Sequence, residues 1–215
     1  MIRAFLAVEL SQELGSELAV VQQELKQRVE SEKKGDIRIS WVQPAKMHLT
    51  IKFLGDMDEQ VIDPLLGAIE QAIGSQPSVH VPLERLGAFP RPHCPRVLWI
   101  GPSENWEQGE EGKRVIEIHG EIEQACESLG LLREAKPFSP HLTLARVKMG
   151  ARHIGVALAT SGVLDQPRSV GTLAVESVVL VKSELKPTGS IYTKLWEAGL
   201  KEVPPVLAPI LISFG

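Results

Sequence analysis

The sequence predicts an α+β fold: two pseudo-symmetric lobes whose antiparallel-type sheets pack together around a central cleft, with helices outside. Three observations carry this expectation. Short apolar runs with strand character are interspersed with amphipathic helical periods, without the strict strand–helix alternation of a parallel doubly wound sheet. The order of elements repeats between the two halves. One phrase also occurs twice, QPAKMHLTI at Gln43–Ile51 and KPFSPHLTL at Lys136–Leu144: proline, three residues, His-Leu-Thr, then a branched aliphatic. The chain has 215 residues, enough to bury a real core. We read residues 1–200 as a single bilobal domain with interleaved lobes that divide near 101–112. Residues 201–215 read as an apolar, Pro-rich tail.

Ile2–Glu9 is short, apolar and bounded by polar residues, so it reads as a strand. Ser11 then caps a helix in which Leu14, Leu18, Val21 and Leu25 recur at helical spacing to about Val29. Ser31–Asp36 reads as a charged loop, Ile37–Val42 as a strand ended by Pro44, and Met47–Leu54 as a strand closed by Gly55-Asp56. Asp58–Ile73 gives a second amphipathic helix, with Val61, Leu65, Leu66 and Ile69 on its apolar stripe. Val79–Leu86 and Arg96–Ile100 read as strands around the turn FPRPHCPR, and Ser103–Gly112 as an acidic surface loop. Val115–Leu129 is a third helix, with Gly130 positioned to end it. Leu142–Val147 reads as a strand and Ala151–Arg168 as a helix followed by a loop. Thr172–Lys182 and Ser190–Trp196 are strands joined by a turn at Lys186–Gly189.

Apolar residues at 43% and charged residues at 23% are ordinary for a globular protein. A formal net charge of −4 argues against a broad basic surface gripping nucleic acid along its length. A small phosphorylated ligand or an RNA terminus needs only a few local cations. Two cysteines, Cys94 and Cys126, form no metal set and no disulfide framework. MIRAFLAVEL is cut by Glu9, too early for a signal-peptide core, and no run spans a bilayer. The expected location is the cytoplasm, away from membranes. Nothing in the sequence asks for an obligate protein partner.

On a strand, residues two apart share a face. His48 and Thr50 therefore point together, with Leu49, Ile51 and Phe53 expected to enter the core. His141 and Thr143 share a face opposite Leu142 and Leu144. If approximate two-fold symmetry relates the lobes, the four polar side chains meet in one cleft. Two imidazoles and two hydroxyls suit phosphodiester chemistry: one ring serves as base for water, the other as acid for the departing alkoxide. The hydroxyls can donate to nonbridging phosphoryl oxygens, and this arrangement requires neither metal nor cofactor. One such segment alone is ordinarily structural; the pair is the signal.

Other signals are weaker. His80, His93, His119 and His153 match no ligand spacing. GEEGKR at Gly109–Arg114 has the wrong spacing for a phosphate loop. Arg91, Arg96 and Arg146 offer positive potential near a phosphate, or are surface arginines. Phe89 and Tyr192 offer faces on which a base can stack, or pack in the core.

The doubled H-L-T-[IL] phrase resembles the signature of the 2H phosphoesterase superfamily. RAFLAVEL, WVQPAKMHLTIKFLG, GAFPRPHCPRVLWIG, FSPHLTLARVK and LVKSELKPTGSIYTKLW narrow the likeness to the RNA 2′,3′-cyclic phosphodiesterases, historically called 2′-5′ RNA ligases, over Ile2 to about Trp196. The resemblance implies a bilobal fold with both histidines in a central cleft and hydrolysis of 2′,3′-cyclic phosphate ends to 2′-phosphate ends. It implies His48 as proton donor, His141 as proton acceptor, Thr50 and Thr143 as phosphate ligands, and RNA 3′ ends or small cyclic-phosphate nucleotides as partners. The alternatives are 2′-5′ ligation at the same site and a non-catalytic nucleotide-binding module. The departures from the family pattern are the acidic Ser103–Gly112 stretch and the tail after Leu200.

Overall fold

The structure is a computed structural model that describes residues 1–31, 36–187 and 189–201. The tail expected after Leu200 and the middle of the Ser31–Asp36 loop lie outside the described residues, apart from Lys201. The elements in chain order are β1 (Ile2–Glu9), α1 (Gln12–Ser31), β2 (Arg38–Trp41), β3 (His48–Met57), α2 (Ile62–Ile73), β4 (Val79–Pro82), β5 (Arg85–Phe89), β6 (Val97–Gly101), α3 (Glu104–Gln108), α4 (Glu110–Ser128), β7 (Leu142–Met149), α5 (Ala151–Ser161), β8 (Thr172–Val175), β9 (Ser177–Lys186) and β10 (Gly189–Gly199). Every pairing between these strands is antiparallel.

Among the described residues the main sheet has eight strands in the order β10-β9-β1-β3-β7-β6-β5, with β2 also on β7; β4 and β8 form a separate two-stranded sheet. The two halves of the sheet, β10-β9-β1-β3 and β7-β6-β5 with β2, therefore join edge to edge. Their junction is the pair Leu49↔Leu142. β1 is apolar on both faces because both are covered. Ile2, Ala4, Leu6 and Val8 enter the main core, while Phe5 and Ala7 pack with Val179 and Val181 on the other side.

The helices back the sheet crosswise. α1 follows β1 but reaches the other half: Gln22 Nε2 donates to the carbonyl oxygens of Val42 at 2.7 Å and Leu144 at 2.9 Å. α4 follows β6 and reaches the first half. Its Glu123 accepts from Lys52 Nζ of β3 at 2.8 Å, and both side chains are almost fully buried. Ser11 caps α1, its hydroxyl accepting from the Leu14 amide. Gly130 ends α4 in the left-handed region, with its amide on Glu127 O and the Leu131 amide on Cys126 O.

Four expectations need correction. Phe53 does not enter the core; it is 58% exposed, and Lys52 is buried in its place. The cause is a bulge: Ala7 pairs with Thr50 but Leu6 with Lys52, so Ile51 is an extra residue that reverses the alternation. Gly55 does not close the strand, because at φ 69° it sits in a second irregularity and β3 runs on to Met57. Val79–Leu86 and Thr172–Lys182 each split: β4 and β8 pair with one another, while β5 and β9 enter the main sheet. Ser103–Gly112 is not a loop. Ser103 accepts from the Trp106 amide and caps α3, which carries Glu104 and Glu107 in its first turn.

Glu123 lies at the centre of a buried network. Lys52 Nζ also donates to Leu132 O at 2.8 Å, and the Glu134 amide donates to Glu123 Oε2 at 3.2 Å. Removing one partner of a buried pair leaves the other charge unpaired, so Glu123→Ala is expected to cost about 3–5 kcal/mol in urea unfolding. Glu123→Gln, which keeps an acceptor, is expected to cost less. Equal losses in the two variants would show that the ion pair is not what matters.

Candidate active site

The two repeated phrases meet at Leu49↔Leu142. An antiparallel pair has a local two-fold axis midway between its residues, and here that axis exchanges His48 with His141 and Thr50 with Thr143. Extending the register by one residue sets His48 across from Thr143 and His141 across from Thr50. Strand geometry places the two histidine Cα atoms on the order of 8 Å apart. The symmetry goes further. β6 pairs with β7 through Trp99↔Thr143 and then Leu98↔Ala145, so Leu144 is bulged as Ile51 is in β3. Arg146 thereby takes the place in the second half that Phe53 takes in the first, and both are exposed on the face that carries the histidines.

Each imidazole is held in the same way. His48 Nδ1 lies 2.8 Å from Lys46 O, and His141 Nδ1 lies 2.7 Å from Ser139 O, in each case two residues back. A carbonyl only accepts, so Nδ1 carries the proton in both rings and Nε2 is left free. Lys46 is itself fixed, its Nζ donating to Ser190 O of β10 at 2.8 Å. Aromatic side chains hold the ring faces and edges. Phe5 stacks on His48 at 4.7 Å and Tyr192 meets its edge at 5.6 Å; Phe89 and Trp99 meet His141 at 5.0 and 6.1 Å. The Trp99 ring lies over Gly87, where a Cβ would stand 2.1 Å from it.

The structure thus brings His48, Thr50, His141, Thr143 and Arg146 to one face. Phe89 and Tyr192 also reach the site, each against one histidine. Arg91 and Arg96 are exposed around the Pro-rich loop that follows Phe89 and take part in no ion pair among the described residues. Sequence reasoning missed Phe5, Trp99 and Lys46. Phe5 and Trp99 lie within segments read only as strands, and Lys46 acts through its carbonyl, which every residue has. Beside His48 a cavity of about 670 Å³ opens between β1, β10, the start of α1 and the Pro44–Met47 segment. A separate cavity of about 270 Å³ lies between α3, α4, Phe138 and Pro140, and His141 does not line it. Among the described residues no helix is long and apolar enough to cross a membrane.

Both histidines have pKa values below the ordinary 6.5. Burial is the largest cause; the carbonyl bond at Nδ1 works against it, and the Arg146 guanidinium lowers both further. One cation acting on both rings is what a shared cleft requires. Imidazole titrations followed by ¹⁵N-resolved NMR are therefore expected to place both transitions below 6.5. In Arg146→Met both are expected to move upward, because removing a cation eases protonation. If only one ring responds, the two do not share a cleft.

Comparison with known proteins agrees with this geometry. A model of the family described as LigT like phosphoesterase matches residues 8–99, which contain His48, and residues 108–192, which contain His141. The chain is 30% identical to the RNA 2′,3′-cyclic phosphodiesterase of Methanocaldococcus jannaschii over 91% of its own length and 99% of that protein's. It is 29% identical to the protein of the same name from Methanothermobacter thermautotrophicus, covering 90% and 96% of the two chains. Among solved structures, a protein of Thermus thermophilus superposes with a TM-score of 0.66 at 28% identity, over 93% and 98% of the two chains. Escherichia coli LigT in its apo form shares the fold at a TM-score of 0.68 and 22% identity, over 93% and 97%. With the doubled phrase, the shared face and the family match in agreement, the chain belongs to the LigT-like phosphoesterases of the 2H superfamily.

Proposed function

We propose that this protein hydrolyses 2′,3′-cyclic phosphate ends of RNA to 2′-phosphate ends, without a metal ion, using His48 and His141 as an acid–base pair. The observation that carries the reading is the two-fold placement of two imidazoles, each with Nδ1 tied to a carbonyl and Nε2 free. Its substrate class follows the names of the relatives. In the step proposed, His141 Nε2 takes a proton from water as the water oxygen bonds to phosphorus. The bond from phosphorus to O3′ breaks, and His48 Nε2–H gives its proton to O3′. The products are a 2′-phosphate and a free 3′-hydroxyl.

Thr50 and Thr143, each across from the other strand's histidine, donate to nonbridging oxygens. Arg146, exposed on the same face, offsets the phosphoryl charge. Phe89 and Tyr192 hold the ring edges, and Tyr192 also lines the larger cavity. We assign the enzyme to the cytoplasm, where Cys94 and Cys126 remain thiols; burial pushes Cys126 up to about 12, far from reactivity.

The test is purified protein, with chelator, on an oligonucleotide ending in a cyclic phosphate, the product identified by mass and by phosphatase sensitivity. Hydrolysis to the 2′-phosphate is expected. His48→Ala and His141→Ala are each expected to lower kcat by about 10²–10⁴-fold with unchanged circular dichroism. Full turnover in either folded variant ends the acid–base assignment. Joined products exceeding hydrolysis when 5′-hydroxyl RNA is added would make the enzyme a ligase instead.

A further inference from the structure

Each site histidine bonds through Nδ1 to a carbonyl two residues back, but the two carbonyls are not held alike. Lys46 O belongs to the turn Pro44–Lys46, in which the Lys46 amide donates to Gln43 O at 2.8 Å and the Met47 amide to Pro44 O at 3.0 Å. The Lys46 side chain adds its bond to Ser190 O. Ser139 O has no such frame. It lies in an irregular stretch between Pro137 and Pro140, which lack amide protons. Among the described residues, no backbone–backbone hydrogen bond involves residues 132–140. One side chain of that stretch packs onto the core instead. Phe138 lies flat on His119 of α4, with ring centroids 4.4 Å apart and planes 9° from parallel. Its counterpart in the first phrase is Ala45, where the turn already fixes the carbonyl.

We propose that His119 is a positioning residue for His141: its ring face holds Phe138, and Phe138 fixes the Ser139 carbonyl that sets the tautomer and aim of His141. The proposal rests on the acid–base reading above, in which His141 Nε2 must be free of a proton to take one from water. A loose bond at Nδ1 would let that proton sit on Nε2 instead. His119 is only 9% exposed, and its Nε2 has no hydrogen-bond partner among the described residues. The nearest carboxylate oxygen, Glu123 Oε1 at 3.7 Å, is taken by Lys52 Nζ at 2.8 Å. Burial is the largest influence on the His119 pKa and holds it below 6.5, so at neutral pH the ring is uncharged. What this ring offers is a flat face. That face is fixed in turn, because Glu123 lies one helical turn along α4 and is bound to Lys52 of β3, two residues past Thr50. On the far side of Ser139, Pro140 is buried and its carbonyl oxygen packs against Gly101, where a Cβ would stand 2.7 Å from it. The Ser139–Pro140 peptide is therefore held from both ends.

The test compares His119→Ala, His119→Phe, which keeps a flat ring, and Phe138→Leu, which keeps apolar bulk on a half-buried residue. Ile73→Val, in the core under α2, controls for lost stability. ¹⁵N-resolved NMR reads the tautomers of His48 and His141, and kcat and KM are measured on an oligonucleotide ending in a cyclic phosphate. In His119→Ala and Phe138→Leu, His141 is expected to lose its single Nδ1–H tautomer while His48 keeps its own. In both, kcat is expected to fall about tenfold, less than misplacement of a catalytic group by 1 Å can cost, with KM nearly unchanged. His119→Phe and Ile73→Val are expected to keep the wild-type tautomer and kcat. Wild-type signals of His141 and wild-type kcat in the folded stack-breaking variants overturn the proposal and leave hydrolysis standing. So does equal disturbance of the two histidines, a change in Ile73→Val, or a His119→Phe variant that behaves as the alanine does. If His119→Ala does not fold, Phe138→Leu decides. Wild-type protein that turns over nothing, with the tautomer change still confined to His141 in the variants, overturns hydrolysis and leaves the positioning role.

Discussion

One antiparallel contact, Leu49 opposite Leu142, sets the geometry on which the rest of the molecule depends. Each leucine is only 1% exposed and lies in the main core. Their neighbours in sequence must then face the other way. Because the contact has a two-fold axis, whatever one motif presents the other presents in reversed order along the opposite strand. A slip of one residue on either strand would turn an imidazole into the core and bring a leucine out. The burial of these two leucines is therefore also what aims the two histidines.

Much of this was legible in the sequence because strands repeat every two residues. Alternation alone put His48 with Thr50 and His141 with Thr143, and the repeated phrase implied the two-fold. Alternation failed at Phe53 and Lys52, just past Thr50, because the bulge at Ile51 leaves no mark in composition. The same bulge at Leu144 is why Arg146 reaches the site, and the sequence offered it only as one arginine among three. The divided strands failed for a different reason. Valine and leucine suit either sheet, and for Val79–Pro82 only the distant partner Thr172–Val175 decides. In Ser103–Gly112 acidic composition suggested a loop, although Ser103 followed by Glu104 and Glu107 is a readable helix start.

The crossed helices explain how two halves joined by so small a contact hold their register. Each bulge interrupts a ladder and is backed by a buried polar side chain from a helix that follows a strand of the other half. Gln22 of α1 satisfies Leu144 O, the bulged residue of β7. Glu123 of α4 pairs with Lys52, which the bulge in β3 turned inward. The Lys52 ammonium also holds Leu132 O, and the Phe53 amide donates to Glu134 at 2.9 Å. The segment approaching His141 is thus tied to the strand that carries His48. The two motifs are coupled behind the sheet as well as within it.

Symmetry of this kind prepares two equal imidazoles, whereas the chemistry needs one protonated and one neutral. The scaffold gives both rings the same treatment: burial first, a carbonyl at Nδ1, and Arg146 nearby, with both pKa values lowered. In the empty cleft at neutral pH both rings are accordingly neutral. This carries a consequence for stability. The folded state binds fewer protons than the unfolded chain with its ordinary value of 6.5, so stability rises with pH through that window and is lost as pH falls below it. An anion in the cleft works in the opposite sense, since a nearby negative charge favours the charged imidazole. The proton that makes one ring an acid therefore arrives with the substrate's own charge.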